Sequence, residues 1–210
     1  MDRKLFFISL AVAAAIGMTA CSSAPPPTAK EAADAKKQEA AKPPEPVPAR
    51  AVYFEMYKQA RSWAPDLLAL TVKSGELPDV KNVGGKAALW TVVFVSPSRK
   101  EARTFTHAVA NKGLEIREGI NVSDKQTWAG ATQASKVFTN GEFLVDSDVA
   151  YKAAAEKAAP WLKTHANAPV SLTLGSGARF PGPVWYILFG TTKDGYAVYV
   201  DAVTGMVLNK

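Results

Sequence analysis

Two histidines, one cysteine and scattered carboxylates are all that this 210-residue chain offers to acid–base, nucleophilic or metal chemistry. His107 and His165 belong to no H-E-x-x-H spacing, and Cys21 has no second cysteine with which to complete a zinc set, so no metal and no cofactor is expected. Glu142, Asp146 and Asp148 lie close together but lack the alternating oxygen ligands and central glycine of a calcium loop, and helix capping accounts for them better. His165, near a predicted helix end, suits the terminal carbonyls there. The glycine-rich LGSGARFPGP at 174–183 has no Lys-Ser or Lys-Thr after its last glycine and carries Phe180 where a dinucleotide fingerprint wants its third glycine. It reads as a strand connection. No G-x-S-x-G elbow accompanies the serines.

Asp201, in YAVYVDAVTGMVL, has two readings. Its carboxylate can accept main-chain N–H groups two residues on while Gly205 supplies a left-handed turn. The alternative is a general acid or base, which needs a partner within hydrogen-bond reach, and no histidine or second carboxylate recurs beside it in sequence. The turn is the expectation, and with it a chain that is not an enzyme. Asp194-Gly195 likewise marks a tight hairpin.

These residues must be positioned by elements that are unevenly spread. Residues 1–20 begin with Arg3 and Lys4, continue with an apolar run from Leu5 to Gly17 and end in small residues before Cys21, the pattern of a secretory signal peptide. The run is shorter than the ~20 residues of a spanning helix, and no later segment reaches that length, so no transmembrane helix is expected in the mature chain. GMTAC resembles the lipobox of bacterial lipoproteins, although Met18 stands where leucine is usual. The resemblance implies cleavage before Cys21, a diacylglyceryl thioether on its sulfur and palmitate-type acyl chains that hold the protein to a membrane. An ordinary signal peptide with a free thiol is the alternative. By similarity with Gram-negative envelope lipoproteins, Ser22 after the cysteine points to the outer membrane, on its periplasmic face.

Residues 21–49 are rich in Pro, Ala, Lys and Glu and lack any aromatic, with Lys30, Lys36, Lys37 and Lys42 balanced by Glu31, Asp34, Glu39 and Glu45. Such a segment cannot bury enough apolar surface to offset its ordering entropy and is expected to be a disordered spacer. From Arg50 onward 19 basic and 14 acidic residues give net +5, dispersed rather than striped. No nucleic-acid partner is implied, while attraction to anionic headgroups or glycans stays open.

The rest carries a faint internal repeat. Trp90 and Trp185 each open an apolar strand, LTVKSG at 70–75 echoes LTLGSG at 172–177, and Ala64-Pro65 and Ala159-Pro160 precede the two tryptophans equally. Each copy reads as a helix followed by an antiparallel meander. The first has a helix over Tyr53 to Trp63 and strands at Leu70–Val72, Leu89–Val95, Thr104–Ala108 and Leu114–Arg117. The second has a helix begun by Asp146 or Ser147, bent or restarted at Pro160, and strands at Val170–Leu174, Val184–Phe189, Tyr196–Val200 and Met206–Leu208. Asn140-Gly141 suggests a hairpin between the copies. The fold class expected is α+β, with 50–119 and 146–210 as repeats and 120–145 as connector. Trp90, Trp161 and Trp185 are assigned to core. Trp128, in the polar run SDKQTWAGATQAS, is a candidate partner contact.

The second copy resembles the PepSY family of small bacterial envelope domains, through its Asp-initiated Ala-rich helix and Tyr196, Val198, Tyr199, Val200, Asp201, Thr204 and Gly205. The first departs from the motif, with His107 in the Asp place. The resemblance implies a helix on a three- or four-stranded antiparallel sheet, no cofactor, and a role in restraining or regulating peptidases at the cell envelope. The expected protein binds a peptide or protein partner, with a structural subunit of an envelope or secretion complex, or an unrecognised hydrolase, as the competing classes.

Overall fold

Apolar runs such as VWYILF and alternating segments such as YAVYVD both favour strands, and six segments of six to eight residues pair as one antiparallel sheet in the computed structural model, which describes residues 43–209. The signal peptide, Cys21 and the spacer up to Lys42 lie outside the described residues. Helix α1 (Ala49–Ala60) leads into β1 (Leu68–Gly75), β2 (Leu89–Ser96), β3 (Glu101–Ala108), β4 (Gly119–Val122) and the two-residue β5 (Gln126–Thr127). A 3-10 turn (Asn140–Glu142) and helix α2 (Ser147–Leu162) precede β6 (Val170–Gly175), β7 (Val184–Phe189), β8 (Tyr196–Asp201) and β9 (Val207–Leu208). The sheet order is β4-β3-β2-β1-β6-β7-β8-β9, with β5 also on β3. A helix and a meander therefore lie on each side of the central β1–β6 pair, which joins them through Thr71–Gly175, Val72–Leu174 and Lys73–Thr173.

Register sorts the two faces. Phe105, Val92, Val72, Leu174, Trp185 and Val200 stand side by side across six strands, none more than 1% exposed. Both helices cover this row: Tyr53 of α1 meets Phe94, and Tyr151 of α2 meets Phe189. One residue further along each strand, Thr106, Thr91, Lys73, Thr173, Tyr186 and Tyr199 form a polar row on the opposite, helix-free face. The period-2 pleat alone puts adjacent residues on opposite sides.

Matching contacts close the two halves. Trp90 Nε1 donates to Val47 O at 2.8 Å and Trp185 Nε1 to Val145 O at 2.9 Å, each acceptor lying two residues before its helix. The two indoles meet edge-on at 6.2 Å. Asp146 Oδ1 accepts from Ser147 N at 2.7 Å and Arg50 N at 2.9 Å, and Ser147 Oγ accepts from Ala49 N at 3.0 Å, so one short segment caps both helices.

Several sequence expectations are corrected. The ordered unit begins before residue 50: Val47 exchanges both main-chain hydrogen bonds with Ala87, and α1 starts at Ala49 rather than Tyr53. Residues 114–117 are not a strand. Lys112 and Ile116 close a loop around Gly113 at φ 57°, leaving Leu114 fully exposed, and the edge strand is β4. The region 120–145 supplies β4 and β5 to the sheet. Asn140-Gly141 opens a 3-10 turn, because Thr139 and Glu142 form a reciprocal capping box and Asn140 Oδ1 accepts the Tyr53 hydroxyl at 2.6 Å. Pro160 does not restart α2, since it falls in the last turn of a continuous helix. Trp161 is half-buried at the core margin, stacked 4.0 Å from His165, whose Nδ1 lies 3.0 Å from Trp161 O.

Candidate functional site

The helix-free face carries a recess of ≈ 460 Å³ between the β6–β7 connection and the outer faces of β7 and β8. Its floor comes from Thr71 and Thr173 of the central strand pair, and Tyr186 and Tyr199 rise from the neighbouring strands, their rings 5.3 Å apart. The glycine-rich connection supplies the rim. A Cβ on Gly177 would lie 3.2 Å from Ala134 O, so glycine there lets the loop settle on the preceding segment and turn Phe180 and Arg179 over the strands. Phe180 meets Tyr199 at 5.1 Å, and the Arg179 guanidinium lies 4.9 Å from the Tyr199 ring centroid and 5.4 Å from that of Phe180. Arg179 Nη1 stands 3.4 Å from the Tyr199 hydroxyl.

No Asp, Glu, His or Cys lines this recess; its polar side chains are the hydroxyls of Thr71, Ser135, Thr173, Ser176, Tyr186 and Tyr199 and the guanidinium of Arg179. Among the described residues no cluster of three or more His, Cys, Asp and Glu could hold a metal ion. A second recess of ≈ 550 Å³, between the β1–β2 loop and residues 167–172, brings Lys81 and Lys86 near Glu76 without an ion pair among the described residues.

Asp201 lies on the helix-free face opposite Val184, but its oxygen is occupied locally. Asp201 Oδ1 accepts from Val203 N at 2.9 Å, Thr204 N at 2.7 Å and Thr204 Oγ at 3.0 Å, and Gly205 adopts φ 75°. Burial pushes this carboxyl up, and the three hydrogen bonds outweigh it, leaving it below the ordinary range. His107 is not in the place of Asp201. It pairs with Trp90 as Val200 pairs with Trp185, which puts Ala108 at the Asp201 position and His107 on the helix side. There its Nδ1 is buried without a partner, its Nε2 lies 3.9 Å from Glu55 Oε2, and burial lowers its pKa against the opposing pull of Glu55.

The Asp194-Gly195 hairpin is wider than expected. Residues 190–195 separate the Phe189–Tyr196 pair, Gly190 rather than Gly195 takes positive φ (87°), and Thr191 Oγ1 accepts from Lys193 and Asp194 N–H. Gly195 is needed for space, because a Cβ would strike the carbonyl oxygens of Thr191 and Phe189. Trp128 is half-buried beside Lys100, whose carbonyl accepts its main-chain N–H at 2.9 Å. The sequence expectations give no role to Arg179 or Tyr186, place Phe180 in a strand connection and count Tyr199 only in the PepSY-like pattern. The available signal was that both tyrosines alternate with buried residues on their strands, facing away from the helices.

No family model matches the chain, so none places it in the PepSY family, and no curated protein matches it. Among solved structures, the chain is similar to a candidate lipoprotein of Clostridium difficile 630, at 13% identity and a TM-score of 0.45, over 79% of this chain and 92% of the other. A likeness at this level carries no argument about activity. Among the described residues no helix is long and apolar enough to cross a membrane.

Proposed function

We propose that this chain is a non-enzymatic, lipid-anchored envelope protein whose folded unit binds a peptide or protein partner at the Arg179–Tyr199 recess. One observation carries the reading: a concave, aromatic-walled site with a guanidinium held over its rings and no Asp, Glu, His or Cys in its lining. That composition suits recognition, in which aromatic walls give contact area and a few polar groups set orientation. The signal peptide and Cys21 support the tether. One acyl chain gives only marginal membrane binding, whereas two or three chains at ~0.8 kcal/mol per buried methylene make it durable. Regulation of a peptidase is one role such a binder could serve.

A photo-crosslinking residue at Ala178, on the rim, tests this in the intact envelope against the same residue at fully exposed Leu114. Capture from 178 alone, lost on Tyr199→Ala, supports the reading; equal capture from both positions, or none, overturns it. Cys21→Ser should move the chain from the membrane to the soluble fraction, and retention on the membrane would count against the anchor.

A structural subunit is the second reading, favoured by exposed Leu144, Val149, Val203 and Met206 around the start of α2 and the last turn. It predicts capture from those positions instead.

A further inference from the structure

We infer that the recess recognises an extended acidic peptide segment, with Arg179 receiving an Asp or Glu side chain. This rests on the recognition site proposed above and names the chemistry it selects. Arg179 is exposed on the rim, its guanidinium lies over two rings, and it pairs with no carboxylate among the described residues. A stacked guanidinium keeps its edge donors available, and its planar fork matches a carboxylate in two-point geometry. Stacking has already restricted the side chain, so ordering it on binding costs less entropy.

One more cation extends the field along the same face. Exposed Lys73 pairs with Thr173 in the polar row and makes no ion pair among the described residues. The carboxylate of that face on β8, Asp201, is held by its own turn. Lys73 and Tyr199 sit three strands apart, roughly 14 Å at ~4.8 Å per strand, so the positive charge is spread rather than focused on one point. A single terminal carboxylate would use one of these cations, whereas an extended segment with two acidic side chains uses both. In an extended segment, aromatic or aliphatic residues two positions from an acid share its side and would face Tyr186, Tyr199 and Phe180.

Fluorescence polarisation on the full chain in detergent, with a labelled octapeptide Glu-Ser-Phe-Ser-Glu-Ser-Phe-Ser that puts Glu and Phe on one side of an extended chain, tests the inference. The Glu-Phe peptide should bind at least tenfold more tightly than its Gln-Phe counterpart, weaken with added salt, and lose at least fivefold on Arg179→Gln while Tyr199→Phe retains most of the affinity. Equal binding of both peptides, still abolished by Tyr199→Ala, would overturn the acidic preference and leave the recognition site standing. Binding of neither peptide, with Arg179-dependent binding to phosphatidylglycerol vesicles, would reassign the cations to a lipid surface. Binding that survives both Arg179→Gln and Tyr199→Ala would remove the recess itself from the account.

Discussion

Asp201 and His107 show how much turns on one position in a strand. Asp201 points away from the helices into a turn whose donors all lie within three residues, so its substitution is a local event. Asp201→Ala should cost about 1 kcal/mol, readable as a fall in the urea midpoint at unchanged slope, with Asp201→Asn recovering part of it. Because its folded pKa is lowered, the stability it contributes is present above the ordinary Asp pKa and fades as pH falls below it. His107, one pleat over, faces inward with a buried unpartnered nitrogen. Its folded pKa is also lowered, which for a base has the opposite charge consequence: as pH falls below about 6.5 the unfolded chain takes the proton first, and the native state loses stability. Urea titrations between pH 7 and 5 should show this slope, and His107→Phe should flatten it. An unchanged slope would mean that some other group sets the pH dependence.

At the scale of elements, the decisive contact is the shared helix cap. Asp146 serves Arg50 N of α1 and Ser147 N of α2, which are 97 residues from each other in the chain but meet at one carboxylate. Asp146→Ala should therefore destabilise by about 2 kcal/mol, the upper end for a cap, with loss of protection in the first turns of both helices by hydrogen exchange. Protection lost from α2 alone would show that the bond to α1 contributes nothing. The helix starts were partly legible in the sequence, since Asp146 and Ser147 are capping types. The partner was not, because Arg50 N could be located only once the two meanders had been joined.

For the whole unit, pairing of β1 with β6 joins the two helix-and-meander halves into one sheet. Leu174 and Val72 lie at that seam, both fully buried, between Trp90 and Trp185. Leu174→Ala should cost about 2–5 kcal/mol, and it should lower the stability of both halves together. Far-UV dichroism and tryptophan fluorescence are expected to report one coincident unfolding transition in the wild type, while two separated transitions would mean that the halves fold independently. The recess belongs to this scale too: its floor takes Thr71 from one half and Thr173 from the other, so a chain cut in the connector would lose the site even if each meander formed.

What the sequence determined by itself is local: an Ala-rich helix begun at Asp146–Ser147, β6 to β9 within a residue or two, and the Asp201–Gly205 turn, all set by side chains and main-chain groups a few residues apart. Tertiary structure decided the register that separates His107 from Asp201, the capping turn where a hairpin was read, the shared cap and the recess. Each of these depends on groups distant in the chain meeting at one place, and composition and periodicity carry no information about which strand becomes whose neighbour.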